Sequence, residues 1–543
     1  MAADKPNSVF ETFAATAARF DERPFLNVLP ETADAYGITA REICYGELRD
    51  AANALAMVYS AKGFGPGHRV GLLLQNRPSF FRHWLALNAI GASVVPINPD
   101  LRASELEYVV AHSEMVAAVA IPERIDDLRS AARAGGRDLP VLAPNAAVPR
   151  IGAPRPRAPA SRDSECALLY TSGTTSRPKG CVLTNTYYLN SAEWYLGAGG
   201  LMAMREGCER MLTPLPLFHM NAMAFSAVTM MACGGCLSVL DRFHPRTWWD
   251  SVRASRATIV HYLGVMPPML MGLPESPDDR AHAVRFGFGA GVDRRLHAAF
   301  EARFGFPLIE AWAMTETGGA VVIAASHEPR HVGTSCFGKP GPEAQVRVVD
   351  EAGGDVAPGA DGELLVRRAG PDPRHGFLAA YLKDPEATAE AWAGGWFHTG
   401  DVVRQDAEGY LCFVDRRKNV IRRSGENISA VEVESVLQRH PGIAAVAVAA
   451  APDAVRGDEV LALVVARALP GSFEARAALA QEIVRYSLAE LAYYKAPGFI
   501  AFVDALPLTS TQKIQRGALK ELVATLLAGP DVIDTRAMKR RAA

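Results

Sequence analysis

The chain has 543 residues, 49% of them hydrophobic, and a formal net charge of -2. It is too long for one ordinary domain and long enough for sizeable cores. Lysine and arginine nearly balance aspartate and glutamate, so no field of one sign covers it, which argues against nucleic acid or an anionic membrane as the main partner.

The opening residues Met1-Ala2-Ala3-Asp4-Lys5 lack a charged-then-apolar leader. No run of about 18 uncharged apolar residues follows, so the expectation is a cytoplasmic protein without a membrane span. The last residues, Arg541-Ala542-Ala543, are no peroxisomal signal. Leu48, Ala52, Leu55, Val58 and Tyr59 share one helical face, and Gly63, Gly65, Pro66 and Gly67 end that helix. Residues 70–74 read as a buried strand, 79–90 as a helix and 92–97 as another strand. Strand, helix and strand with short links predict a parallel sheet covered on both faces. Residues 143–160, rich in Pro, Ala and Arg, read as a surface connection. Residues 166–170 form a strand that runs into a small-residue loop, and strand–helix alternation continues to about 325.

From about 330 to 415 short strands such as 345–349 and 362–366 alternate with Gly, Pro and Asp turns, which predicts a β-rich subdomain. After Arg417 a capping-box pair, Ser429 and Glu432, precedes Val433, Val436 and Leu437 at helical spacing. Strands near 444–450 and 459–466, a helix over 473–491 and a strand over 499–503 complete a small α+β domain. The fold class is therefore α/β. Residues 1–415 form a large N-terminal domain of doubly wound sheets with the β-rich subdomain, and 416–543 form the C-terminal domain. Eight cysteines are scattered along the chain. Cys233-Gly234-Gly235-Cys236 has redox or zinc spacing, yet no second pair follows it, and the glycines read as a turn into a strand over 237–240.

The strongest chemical signal is Tyr170-Thr171-Ser172-Gly173-Thr174-Thr175-Ser176-Arg177-Pro178-Lys179-Gly180. Hydroxyls and free backbone N–H groups suit phosphate oxygens, glycine permits close approach, and Lys179 adds a point charge. It is not a Walker loop, which needs Gly, four residues, then Gly-Lys-Ser/Thr. This segment resembles the phosphate loop of the adenylate-forming superfamily, which holds acyl-CoA synthetases, adenylation domains of nonribosomal peptide synthetases and beetle luciferases. Ser176 stands where that family usually has glycine.

Other stretches resemble the family in the same order along residues 40–520. Pro216-Leu217-Phe218-His219 resembles a stretch whose histidine sits near the substrate carboxylate. Gly287-Phe288-Gly289-Ala290-Gly291 resembles the strand end lining the adenine and acyl pocket. Glu310-Ala311-Trp312-Ala313-Met314-Thr315-Glu316 resembles the stretch whose aromatic residue lies by the adenine. There the threonine binds the α-phosphate and the glutamate holds Mg²⁺. Trp312 replaces the usual tyrosine. The resemblance makes Asp401 a ribose ligand, Arg416 a second ribose contact and Lys418 the hinge of a mobile C-terminal domain. By the same resemblance Ser424, Gly425 and Glu426 belong to the loop of the pantetheine tunnel. Lys513, preceded by Gln512 where glycine is usual, is the catalytic lysine. Taken one at a time, most of these residues would pass for ordinary turn or surface residues.

The resemblance implies ATP, Mg²⁺ and coenzyme A, and a small-molecule carboxylic acid as the partner. It implies acyl-adenylate formation followed by thioester formation, in an enzyme similar to the carnitine/crotonobetaine-CoA ligase-like branch. A homodimer is compatible with it. The alternative is a stand-alone adenylation enzyme loading a carrier protein, and no clear aspartate near 220–225 awaits an α-amino group. A nucleotide-binding regulator fits poorly with Glu316, Asp401, Arg416 and Lys513 all in place. The apolar, small-residue segments 219–225, 262–264, 287–291 and 312–319 suit a medium-sized, mainly apolar acid.

Overall fold

Three short apolar runs near the start of the chain become the middle of a parallel sheet. In the computed structural model, which describes residues 5–156, 158–171, 177–416, 420–507 and 516–540, Arg69–Leu73 pairs in parallel with Ser93–Pro96 on one side and Ala117–Ala120 on the other. Ser93–Pro96 and Ala117–Ala120 are buried at every position, as strands inside a parallel sheet must be. Seven strands make up this sheet, in the order Ala380–Tyr381, Lys179–Thr184, Glu165–Thr171, Ser93–Pro96, Arg69–Leu73, Ala117–Ala120 and Val141–Leu142. The helix foreseen around Leu48 spans Tyr45–Ala61 and buries Leu48, Ala52 and Tyr59. The next spans Pro78–Asn88, with proline in its first turn.

A second, eight-stranded sheet runs Ile323–Ala324, Leu308–Trp312, Phe286–Gly289, Ile259–His261, Arg210–Thr213, Cys236–Val239, Pro24–Val28 and Arg41–Cys44. Its inner neighbours are parallel and its two end pairs antiparallel. The strands Pro24–Val28 and Arg41–Cys44, the second of them at the sheet's edge, and the helix Val9–Arg19 were not foreseen. Gly234 (φ 69) ends the helix Thr229–Cys233 and Cys236 starts the next strand, so the Cys-Gly-Gly-Cys stretch is a turn. The β-rich stretch is a five-stranded antiparallel sheet, Cys336–Gly338, Leu411–Arg416, Phe397–Gln405, Asp361–Arg368 and Ala344–Val349.

The chain divides into two compact units, residues 1–99, 110–169 and 180–415 in the first, 100–109, 170–179 and 416–543 in the second. One continuous apolar core joins all three sheets of the first unit, from Val9 and Phe13 to Val403 and Leu411. In the second unit Gly457–Ala466 pairs with Ile443–Asp453, Phe499–Phe502 and Val420–Arg423, and Val420–Arg423 pairs in turn with Glu426–Ser429. The helices Ala430–Leu437 and Phe473–Glu490 bury Val433, Leu437, Ile483 and Val484 in its core.

The capping box is only half present. Ser429 Oγ accepts from Glu432 N–H at 3.3 Å, but the Glu432 carboxylate does not reach back. It is held instead by Lys495 Nζ at 2.8 Å, a buried ammonium that also donates to Glu105 of the 100–109 segment. An ion pair with a buried lysine outweighs a second capping bond. No helix among the described residues is long and apolar enough to cross a membrane.

Candidate functional site

The strand Phe286–Gly289 lies between Ile259–His261 and Leu308–Trp312, all three parallel. Ligands of open α/β sheets collect beyond the carboxyl ends of such strands. Here the chain leaves Gly289, turns at Gly291 (φ 83), and is tied down from the neighbouring strand. Glu310 accepts from Gly291 N–H at 2.9 Å and from Val292 N–H at 2.7 Å. Gly289 is needed for closeness, since a Cβ there would lie 2.3 Å from the Tyr262 carbonyl oxygen. A Cβ on Gly264 would lie 1.9 Å from the carbonyl oxygen of Gly291. Gly289, Ala290, Gly291, Glu310, Ala311 and Trp312 are thus brought together on one floor.

Asp401, in the strand Phe397–Gln405, belongs to a different sheet yet reaches the same floor. Trp312 Nε1–H donates to Asp401 Oδ2 at 2.9 Å, and Asp401 is 2% exposed. Its backbone N–H donates to Thr399 Oγ1 at 3.1 Å, and that hydroxyl donates to the Leu364 carbonyl at 2.6 Å. The indole that stands in place of the family's tyrosine therefore carries an N–H aimed at this carboxylate.

Thr315 and Glu316 sit in a tight turn that follows Trp312. Thr317 N–H and Gly318 N–H both donate to the Met314 carbonyl, at 3.1 and 3.0 Å. Gly318 and Gly319 lie directly on the helix Asn185–Gly197, for a Cβ on either would fall 2.2 Å from Tyr187 or from Ser191 N. Glu316 is 8% exposed, and Tyr381 O–H donates to its Oε1 at 3.0 Å. His219 precedes a π-helix, Asn221–Val228, and its carbonyl accepts from Met223 N–H at 3.1 Å. Such wide turns occur mostly as local departures inside helices and frequently at functional sites.

An aromatic cluster that no sequence pattern announced stands behind the floor. Phe288 lies 5.0 Å from Tyr195, 5.1 Å from His261, 6.0 Å from Phe225 and 6.1 Å from Trp194, centre to centre. His261 is wholly buried, and its Nδ1 meets Asn221 Oδ1 at 2.7 Å and Ser226 Oγ at 2.9 Å. Its Nε2 meets Tyr195 OH at 3.1 Å. Burial pushes the ring down to about 3, so it is neutral. With Nδ1–H donating to Asn221, Nε2 accepts from Tyr195, and the ring ties the π-helix to the strand Ile259–His261.

Thr171 closes the strand Glu165–Thr171 and Lys179 opens Lys179–Thr184. Ser172, Gly173, Thr174 and Thr175 lie outside the described residues, as do Lys418 and Lys513. Arg416 closes the strand Leu411–Arg416. In the second unit Arg423 pairs with Glu426, which leaves Ser424 (φ 51) and Gly425 (φ 90) as a two-residue hairpin turn. Positive φ at both centres is the I′ geometry that suits the twist of the flanking strands. Ser424 Oγ is buried with no hydrogen-bond partner among the described residues.

Residues 13–371 match the profile described as AMP-binding enzyme, and residues 432–513 match that of the AMP-binding enzyme C-terminal domain. A sulfoacetate–CoA ligase of Cupriavidus necator is 33% identical, over 94% of this chain and 97% of its own. A crotonobetaine/carnitine–CoA ligase of Citrobacter koseri is 31% identical, over 88% and 93%. Among solved structures, a malonyl-CoA ligase with methylmalonyl-CoA and AMP bound superposes with a TM-score of 0.73 at 25% identity, covering 90% of this chain and 97% of that one.

Proposed function

The chain belongs to the AMP-binding enzyme family and is an AMP-forming acyl-CoA synthetase of the adenylate-forming superfamily; on that premise we propose how its residues divide the work. The enzyme activates a carboxylic acid with ATP to acyl-AMP, releasing pyrophosphate, and then passes the acyl group to coenzyme A, releasing AMP. A carboxylate is a poor electrophile because its leaving group would be oxide. The mixed anhydride with AMP replaces oxide by a phosphate monoester.

The observation that carries the residue reading is the Asp401–Trp312 pair beside the Glu310-held turn. A buried carboxylate can accept from both ribose hydroxyls, and the indole N–H fixes which way it faces. Arg416 is proposed as a second ribose contact, and Gly289, Ala290, Gly291, Glu310 and Ala311 as the adenine wall. Thr171, Ser172, Gly173, Thr174, Thr175 and Lys179 are proposed to hold the departing pyrophosphate. Thr315 is proposed for the α-phosphate and His219 for the acid carboxylate.

Glu316 offers one hard oxygen donor, nine-tenths buried. No group of three potential ligands that could cage a metal occurs among the described residues. That fits Mg²⁺, which takes one or two carboxylates and relies on substrate phosphates and water for the rest. Held by Glu316, it would supply neutralisation of charge around the α-phosphate.

Lys513 is proposed to bridge the acid carboxylate and the α-phosphate, offsetting the approach of two anions. The second unit is proposed to pivot at Lys418, exchanging Lys513 for Ser424, Gly425 and Glu426 in the thioester step. The acid is proposed to be of medium size with a mainly apolar body. The cytoplasm is its proposed compartment and a homodimer its proposed assembly, which light scattering checks.

Lys513→Ala tests this division. Pyrophosphate exchange should fall by about a thousandfold or more, because a preorganised charge at the reacting phosphate is removed. Thioester formation from supplied acyl-adenylate should survive. Exchange at the wild-type rate would overturn the assignment. Free coenzyme A against a phosphopantetheinyl carrier tests the acceptor. AMP release across a panel that includes sulfoacetate and crotonobetaine tests the acid.

A further inference from the structure

We propose that Cys336 and Cys412 form a reversible thiol–disulfide site, oxidised by a hydroperoxide such as hydrogen peroxide. The two stand directly opposite one another where Cys336–Gly338 pairs antiparallel with Leu411–Arg416. Phe413 N–H donates to the Ser335 carbonyl at 3.0 Å, so the ladder bond flanks the cysteines and does not join them. Opposed residues of that kind bring their Cα atoms to about 4.5 Å, with side chains closer than in hydrogen-bonded pairs. A disulfide spans roughly 4.4–6.8 Å between Cα atoms, so the backbone already has the spacing. Both cysteines are free, Cys336 buried and Cys412 half-buried.

The surroundings suit an attacking thiolate at Cys412. Arg294 reaches the residue next to each cysteine, donating to the Ser335 side-chain Oγ at 2.8 Å and to the Phe413 carbonyl at 3.0 Å. Cys336 and Thr334 beside it, with the Arg294 charge, bring the Cys412 thiol down to about 7 against burial and Asp406. By contrast, burial pushes Cys166, Cys233 and Cys236 up to about 12, which keeps them protonated.

The chemistry balances in two steps. Cys412 thiolate attacks one peroxide oxygen, an S–O bond forms, the O–O bond breaks, and the leaving hydroxide is protonated to water. Cys336 sulfur, giving its proton to solvent, then attacks the Cys412 sulfenic acid. The S–S bond forms and the S–O bond breaks, with hydroxide leaving as a second water. Two thiols are oxidised and one peroxide is reduced.

The test is mass spectrometry of the full-length enzyme after a modest excess of hydrogen peroxide. Intact mass should fall by about 2 Da, and a non-reducing peptide map should join Cys336 to Cys412, with dithiothreitol restoring both thiols. Cys336→Ala should stop at a sulfenic acid on Cys412, trapped by dimedone, and Cys412→Ser should give neither product. An unchanged mass would overturn the proposal. So would a crosslink between other cysteines, or over-oxidation of Cys412 with Cys336 left free in the unmutated chain, a result that needs no variant to fold.

Discussion

Two glycine-bearing stretches of this molecule need their glycines for different reasons. At the floor of the first unit, Gly289 and Gly264 are pressed against the carbonyl oxygens of Tyr262 and Gly291, where a Cβ would lie 2.3 and 1.9 Å away. At the hairpin of the second unit, Gly425 supplies a φ of 90 beside Ser424 at 51. The first constraint is imposed by backbone remote in sequence, where the turns that follow two neighbouring strands are pressed together. The second is local and concerns only the backbone of one turn. Damage at the floor should therefore be all-or-nothing, and damage at the turn graded.

The largest effect is expected from Gly289→Val. The added side chain must displace the Tyr262 backbone, a strain of about 1–3 kcal/mol or more in a packed core. Pyrophosphate exchange should vanish and thermal unfolding should come at lower temperature. A variant with wild-type exchange would mean that the floor yields as easily as a loop. Asp401→Ala comes next. It removes the acceptor of the Trp312 N–H and, on the proposed reading, the ribose ligand. Hydrogen bonds to a charged group are worth about 1.5–3 kcal/mol each, so calorimetry should show ATP affinity down by roughly 10- to 100-fold. Unchanged affinity would reduce Asp401 to a structural partner of the indole.

Gly425→Ala should do less. A side chain held at positive φ costs roughly 1–2 kcal/mol, and thioester formation should slow by about tenfold while pyrophosphate exchange stays near normal. Equal loss in both half-reactions would show that the turn matters for folding alone. Ser424→Gly is the smallest change. It relieves the left-handed strain of serine but frees the unfolded chain, and the two should cancel to within about 0.5 kcal/mol by denaturant titration.

The same contrast explains what could be read from the sequence. Local order was legible: the helix around Leu48, the buried strand before Thr171, the β-rich stretch after 330 and the α+β domain after 416 all follow from period, turn residues and family motif. Pairings across the chain were not. Nothing in the spacing says that Trp312 will donate to Asp401, 89 residues on. Neither could the sequence say that Glu432 would abandon its capping role for Lys495, nor that 100–109 and 170–179 would group with the second unit. The apolar run after Asn221 gives no sign of its π-helical winding, and His261 carries no motif. Such features arise from tertiary packing, which single-sequence patterns do not encode.

Acid is what the aromatic cluster tolerates least. His261 has its ring lowered by burial to about 3 from the ordinary 6.5. Between those values the unfolded chain takes up a proton that the folded chain refuses. Stability from this group is complete above pH 6.5 and drains away as the pH falls toward about 3. When the ring is forced to protonate, Nε2 can no longer accept from Tyr195, and the strand Ile259–His261 loses its tie to the helix Asn185–Gly197 while Nδ1–H still donates to Asn221. Souring of its surroundings should therefore loosen the enzyme first around His261, before the two units as a whole give way.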